Sequence, residues 1–549
     1  MPEWLFDHLY EYVGAYMFLA LALTLFTGLP VGIAIGGIGF LFGFIGIYLE
    51  LVTLNEFFNV PNKIWGGDGA SGAVQNPLLV AIPCFIFMGT MLERSRVAED
   101  LLHILQVMLR RVPGGLALSV TVMGTIMAAT TGIIGASVVM MTLMALPTML
   151  AQRYHTPLAT GTLAASATLG ILIPPSIMLV LMASLMSISV GNLFLGAVLP
   201  GLLLSGLYFL YIAVISSMKP QWAPPLSDEV MGEIPKANTG NMAQYASIVG
   251  VMVGLAVFAN VFADGFVDTA VAATGVNALN FVHEFNWDLF AFFGIFFASM
   301  YYGNRDSGSI FGMVLKGFIP PVFLIVLVLG SIFGGWATPT EAAGIGAFGS
   351  MVLAFANGTL NYSSLKDVVH RTALTTSMIF FIFLAATTFS YFFRALYGED
   401  LIIGFIEWLE LGPWPLIIML MATVFLLGFF FDWLEITLIV LPVFTPIVMK
   451  LAPAFTDHLG LAATLPPKEI QLQVLYWFAI LVAINLQTSF LTPPFGFALF
   501  YMKGVAPPEV KMQDIYAGII PFVILQLIGL SLVVQFPEVA LWLPRLVLG

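Results

Sequence analysis

Positive charge is scarce in this chain. Eighteen lysines and arginines stand against 30 acidic residues in 549, a formal net charge of -12, and charged side chains make up only 9% of the whole. No basic tract is present to hold a polyanion, so a nucleic-acid partner is not expected. Cysteine is nearly missing: Cys84 is the single one, which excludes an internal disulfide and a thiolate metal cluster. In Ala81-Ile-Pro-Cys-Phe-Ile-Phe87 it reads as a small apolar residue. The six histidines (His8, His103, His155, His283, His370, His458) form no ligand motif. Without a Walker A loop the chain itself should not hydrolyse ATP, and no enzyme constellation stands out. The start, Met1-Pro-Glu-Trp-Leu-Phe-Asp-His8, lacks a cationic n-region, so the first apolar segment is expected to stay in the mature protein.

What is abundant is apolar. Hydrophobic residues make up 60% of the chain, and apolar runs of about 17 to 25 residues suggest on the order of a dozen spanning or half-spanning segments. This composition predicts an all-α polytopic membrane protein; a soluble protein with so few charges is not tenable.

Residues 1–218 read as a first half. Its apolar blocks are 13–49, interrupted at Gly28-Leu-Pro30, then 78–92, 114–150 and 190–217. The segment 93–111 carries Arg94, Arg96, Arg110 and Arg111 on helical apolar spacing and predicts an amphipathic helix along the membrane surface. The run 114–150 is too long for one helix and is interrupted at Thr130-Thr131-Gly132, which suits a re-entrant hairpin. Residues 219–310 read as an inserted polar loop followed by an extra helix pair. Residues 311–549 form a second half with a hairpin at 414–449 and a further broken segment at 476–501.

The organising stretch is Gly161-Thr-Leu-Ala-Ala-Ser-Ala-Thr-Leu-Gly-Ile-Leu-Ile-Pro-Pro-Ser-Ile177, within a broken helix expected at 161–184. Pro174 and Pro175 remove backbone donors and end the helix inside an apolar run. In hydrocarbon such a break is tolerated only where it is buried in protein or lines a cavity. The piece before it is roughly 15 Å long, about half a bilayer.

The pattern occurs twice. Thr142-Leu-Met-Ala-Leu-Pro147 and Thr437-Leu-Ile-Val-Leu-Pro442 share T-L-x-x-L-P. Each follows a glycine-containing interruption, Thr130-Thr-Gly132 or Gly428-Phe-Phe-Phe-Asp432, and precedes a double proline, Leu172-Ile-Pro-Pro175 or Leu491-Thr-Pro-Pro494. Three matched features in one order predict two structural repeats. Paired breaks in corresponding positions point to a transporter's midplane site.

Candidate binding residues follow from those breaks. Thr130, Thr131, Gly132, Ser137, Thr168, Gly170, Pro174, Pro175, Ser176, Ser489, Thr492, Pro493 and Pro494 supply hydroxyls or freed carbonyls. Hard oxygen donors of this kind suit a sodium ion better than a transition metal, with Thr131, Thr168, Asp432 and Thr492 as ion ligands. Asp432 and Glu435 are carboxylates within an apolar segment; Asp432 reads either as a cation partner or as a hairpin tip in water, Glu435 chiefly as the latter. Glu341 reads as a helix N-terminal cap. Arg394 reads as snorkelling to the interface or meeting an anion.

These residues carry a likeness. Gly161 to Ser176, Ala337-Thr-Pro-Thr-Glu-Ala-Ala343, Leu491-Thr-Pro-Pro-Phe-Gly496, Val112-Pro-Gly-Gly-Leu-Ala117 and Phe194-Leu-Gly-Ala-Val-Leu-Pro-Gly-Leu202 resemble the large membrane subunit of tripartite ATP-independent periplasmic (TRAP) transporters, in order and over most of the chain. The resemblance implies an elevator-type sodium symporter of inverted repeats in a bacterial or archaeal cytoplasmic (inner) membrane. It would import organic acids with a small TRAP membrane subunit, expected on a separate polypeptide, and a periplasmic substrate-binding protein. No cofactor is implied beyond sodium as coupling ion.

The chain departs from the family pattern in three places. Thr131-Gly132-Ile133 stands where the family commonly has Ser-Gly-Ser, which puts the ion-ligand use of that tip in doubt. Asp432-Trp433-Leu434 stands for Asp-Pro-Thr, with Glu435 as a second carboxylate, and 219–309 is longer than usual. Two rival readings remain: an ion-coupled anion carrier needing no binding protein, and a non-transporting scaffold or intramembrane enzyme.

Overall fold

The computed structural model describes residues 3–66, 72–131, 134–226, 239–262, 287–306, 308–429, 431–462, 464–493 and 496–548. Among them there is no strand, and nine helical stretches of at least 18 residues are long and apolar enough to cross a membrane. Shorter apolar helices include Gly115–Met127, Ile177–Met186 and Pro413–Leu427. At 1.5 Å per residue each reaches roughly half to four-fifths of the hydrocarbon layer.

The first half runs α1 (Glu3–Leu25), α2 (Val31–Tyr48), α3 (Ala81–Arg94) and α4 (Val97–Leu109), then α5 (Gly115–Thr131), α6 (Ile134–Ala151), α7 (Thr156–Thr168), α8 (Ile177–Met186) and α9 (Val190–Met218). An inserted pair follows, α10 (Thr239–Phe262) and α11 (Trp287–Arg305). The second half runs α12 (Ile310–Gly317), α13 (Ile319–Phe333), α14 (Pro339–Ala356), α15 (Tyr362–Ala395) and α16 (Gly398–Trp408). It ends with α17 (Pro413–Leu427), α18 (Trp433–Leu451), α19 (Pro467–Leu491), α20 (Phe497–Val505), α21 (Met512–Gln535) and α22 (Glu538–Leu548).

The halves interlock by exchange. Helix α2 packs on α15 of the other half, and α14 packs on α3 in return. The hairpin arm α6 rests on α7 of its own half and α20 of the other; α18 rests on α19 of its own half and α8 of the other. Likewise α7 pairs with α21, and α19 with α9. Such reciprocity is what two equivalent repeats give when each completes the other.

Helix α19 is the pivot of the core. From Val474 to Leu491 every residue is buried, so the segment is apolar on all sides because it meets protein on all sides.

Two motifs fix the turns between elements. Helix α14 begins with a capping box: the Thr338 N–H and hydroxyl each donate to Glu341 Oε2 at 2.8 Å, and Glu341 N–H donates back at 3.3 Å. The expected amphipathic segment 93–111 is divided, because Arg96 adopts a left-handed conformation (φ 61) between α3 and α4. The apolar face of α4 meets α5 and α12, so it covers protein rather than lipid.

The inserted pair is antiparallel. Tyr245 Oη and Ser299 Oγ lie 2.8 Å apart, and the pair docks through α11, where Phe292 and Phe296 stack on Phe323 of α13 at 4.2 and 4.1 Å.

Candidate functional site

The first break is sealed by its own side chains. Pro175 has no N–H to offer the Ile171 carbonyl, and the Ser176 hydroxyl donates to that carbonyl instead. Pro174 likewise removes the donor that would serve Gly170. Every residue from Ile171 to Ser176 is buried, and the Pro174-Pro175 peptide is cis. Thr168, fully buried, donates to Ala165 O at 2.9 Å.

The second break is more open. Pro493 removes the donor for the Ser489 carbonyl, and Pro493 itself is exposed while Thr492 is half-buried. Ser489 donates to Leu486 O at 2.5 Å and Thr492 to Thr488 O. Gly496 is required by proximity: a β-carbon there would press on the Phe490 carbonyl. Pro494 lies outside the described residues. A hydroxyl that donates to a carbonyl still keeps its lone pairs, but Thr168, Ser176 and Ser489 are buried in packed protein.

The hairpin tips differ in charge. Helix α5 ends at Thr131 and α6 starts at Ile134; Gly132 and the side chains of Thr130 and Thr131 lie outside the described residues. Ser137, on the first turn of α6, is buried. At the second tip Asp432 is the N-cap of α18. Its Oδ1 accepts from Trp433 N–H at 2.8 Å, and Glu435 Oε2 accepts from Asp432 N–H at 3.2 Å. Glu435 is only 9% exposed, so the reading of that residue at a tip in water is corrected: the capping geometry turns it inward.

A cavity of about 690 Å³ adjoins these parts. Its wall includes Ile134 and Gly135 from the first tip, Ile177 from the exit of the first break, and Asp432 to Glu435 from the second tip. Phe490 and Phe497 flank the second break, and Arg371 and Glu93 stand on the α15 and α3 side. Of the described candidate residues only Asp432 lines this space. Ser137, Thr168, Gly170, Pro174, Pro175, Ser176, Ser489, Thr492 and Pro493 lie outside its wall, which touches the two breaks only through the flanking Ile177, Phe490 and Phe497. Among the described residues neither Asp432 nor Glu435 has an ion-pair partner.

The same interface opens again toward the other end of α15. A second cavity, about 570 Å³, is lined by Leu185 of α8, Phe383 to Arg394 of α15 and Leu438 and Pro442 of α18. The first cavity takes Ile177, Ile382 and Glu435 from the same three helices. The two spaces are therefore successive openings along one seam, parted at Ile382–Phe383 and Glu435–Leu438. Arg371 and Arg394 mark its ends, 23 residues or about 35 Å apart along the helix.

Sequence reasoning passed over several members of this arrangement. Glu93 and Arg371 line the first cavity. Thr142 and Thr437, the matched threonines of the repeat, are at most 1% exposed with hydroxyls that have no hydrogen-bond partner among the described residues. A further repeat signal was legible: Arg94…Glu99-Asp100-Leu101 recurs as Arg394…Glu399-Asp400-Leu401, offset by 300 residues. In both, a left-handed residue (Arg96, Tyr397) follows the long helix.

Residues 18–539 match the family described as tripartite ATP-independent periplasmic transporter, DctM component. The C4-dicarboxylate TRAP transporter large permease protein DctM of Pseudomonas aeruginosa is 24% identical over 468 residues, 85% of this chain and 86% of that one. The ectoine/5-hydroxyectoine TRAP transporter large permease protein UehC of Ruegeria pomeroyi is 23% identical over 533 residues, 97% and 98% of the two chains. The isethionate TRAP transporter permease protein DctMQ of Oleidesulfovibrio alaskensis is 24% identical over 524 residues, covering 95% of this chain and 65% of that protein.

Proposed function

Because this chain belongs to the DctM component family of tripartite ATP-independent periplasmic transporters, we propose that it is the large permease of a sodium-coupled importer of small organic acids. The observation that supports this reading is one cavity walled by the starts of both second hairpin arms, with two carboxylates at one of them and the residues flanking both breaks beside it. Relatives named for C4-dicarboxylate, ectoine and isethionate transport support a small organic acid as the cargo. Selection among them would fall largely to a periplasmic binding protein, with a small membrane subunit completing the system.

Asp432 and Glu435 are the hard, anionic donors at the cavity wall that a sodium ion would take, and the oxygens at the breaks would join them only through movement of the tips. Sodium bound there offsets the carboxylates and adds positive charge beside the incoming anion. An inward-negative potential then supplies about 2.3 kcal/mol per net positive charge per 100 mV, which drives accumulation when sodium charge exceeds cargo charge. Arg94 and Arg371, both paired with Asp367, stand at one end of the seam, and the positive-inside rule favours a cytoplasmic reading of that end.

Alternating access would carry the core of hairpins and broken helices along α2 and α15, whose seam already opens at both ends. A scaffold that holds still while the core slides is an elevator.

The test is uptake into proteoliposomes under an inward sodium gradient, adding the small subunit and a candidate binding protein in turn. Uptake that needs sodium and both partners supports the reading. Uptake by the chain alone would make it a self-sufficient carrier, and no uptake of any organic acid in the complete system would overturn the proposal.

A further inference from the structure

We infer that the cavity at the Arg394 end of the seam is an anion vestibule, in which Arg394 and Lys63 receive a carboxylate and so release a tie between α15 and α18. This rests on the transport reading for its choice of ligand.

Begin with the tie. Helix α18 contains Pro442 and Pro446. Pro446 has no N–H, so the Pro442 carbonyl four residues earlier loses its helical donor. That carbonyl faces the cavity, and Arg394 reaches across from α15 to donate to it through Nη2 at 3.4 Å. The same guanidinium holds Glu399 through Nε at 2.6 Å. The Glu399 contact is short and charge-assisted; the Pro442 contact is long and made to a neutral oxygen. An incoming anion would therefore displace the Pro442 carbonyl and leave Glu399 in place. The guanidinium has five donors, and its side chain is 55% exposed. Arg394 is not simply snorkelling: it bridges the two bodies of the seam.

Lys63 stands in the same wall, exposed, with no ion pair among the described residues. Ser390 lines the space beside it, as do Thr387 and Tyr391, whose hydroxyls already donate to the Phe383 and Glu56 carbonyls at 2.9 and 2.8 Å. Glu56 is the one carboxylate in the lining, and it is already engaged: Thr53 N–H and Oγ1 donate to its Oε2 at 2.7 and 2.9 Å. Arg394 with donors left beyond Glu399, and Lys63 with none engaged in an ion pair among the described residues, give the wall two cations, and the Glu56 carboxylate is turned to Thr53. A small carboxylate or sulfonate suits that pair of cations. Occupancy would free α18 from α15 at this end, so arrival of cargo would loosen the core from the scaffold.

The test uses the full chain in proteoliposomes with Ser390→Cys on a Cys84→Ala background. The rate of labelling by a membrane-impermeant thiol reagent is followed with succinate or isethionate, against chloride at equal ionic strength. The anion that supports uptake is expected to slow labelling severalfold. Arg394→Gln should abolish that protection and Lys63→Gln weaken it, while Arg394→Lys restores part of it. Three results would overturn the inference: no protection by an anion that is taken up, protection unchanged in Arg394→Gln, or equal protection by chloride. Protection without uptake would uphold the vestibule and fail the transport reading instead.

Discussion

In the first hairpin-and-break unit every residue from Ile171 to Ser176 is buried, whereas in the second Thr492 is half-buried and Pro493 exposed. The first tip, Thr130-Thr131-Gly132, carries no ionisable group; the second carries Asp432 and Glu435. Yet both units pack by the same scheme, each hairpin arm between its own broken helix and the far half of the other. The difference teaches that packing symmetry does not require symmetric chemistry. One unit is neutral and closed, and the other brings charge and access to the shared cavity.

The comparison breaks most sharply at Asp432. Asp432→Ala is expected to lower sodium-driven uptake at least about tenfold, the scale seen when an ion site loses even a supporting outer-shell group. Thr131→Ala should cost less, because that tip contributes no charge. Initial uptake rates in proteoliposomes with matched protein amounts decide this, and equal losses would erase the contrast. Next comes Glu435→Gln, which keeps an acceptor for Asp432 N–H while removing the charge. It should leave thermal stability unchanged but shift the sodium dependence of uptake; an unshifted sodium curve would make Glu435 a cap alone.

The closed unit is expected to respond in stability instead. A β-carbon at Gly161 would collide with the Gly518 backbone, where α7 meets α21. Gly161→Val should destabilise by about 1–3 kcal/mol, read as a lower melting temperature in detergent, while Gly206→Ala, with open space around it, serves as the comparison. Thr338→Ala, remote from both units, should cost about 1 kcal/mol through the lost cap of α14.

The smallest effect concerns the hairpin bases. His155 stacks on Trp222 at 4.2 Å and 11° in the first unit, whereas His458 meets Trp414 edge-on at 4.6 Å in the second. Burial lowers the pKa of His155 from its usual 6.5, so the unfolded chain takes up this proton more readily than the folded one. Stability contributed by neutral His155 is present above the ordinary histidine range and is lost as pH falls below it. Melting followed from pH 7.5 to about pH 5 should show less acid sensitivity in His155→Phe than in the parent; an identical slope would remove His155 from the account.

Class and family were legible in the residues because a bilayer constrains composition, and because double prolines inside apolar runs have few permissible uses. Pro174, Pro175 and Pro493 announced the breaks, and Asp432 stood out because a carboxylate in apolar surroundings is costly. The seam was not legible. Glu93 and Arg371 look like ordinary helix-end charges, and only the pairing of α3 with α15 brings them to the cavity. The role of Arg394 depends on a carbonyl orphaned by Pro446, 52 residues away in sequence. Glu435 was read as solvated although Asp432-Trp-Leu-Glu435 has the capping-box spacing that marked Glu341; its burial against neighbouring helices leaves no such trace in the sequence.

The most direct measurement is the sodium concentration dependence of uptake by the reconstituted system, comparing the parent with Asp432→Asn. A charged second tip that helps to hold the coupling ion predicts half-maximal uptake at a markedly higher sodium concentration in the variant, with the protein still folded. An unchanged sodium dependence, at whatever rate, would contradict the assignment of the ion to this unit.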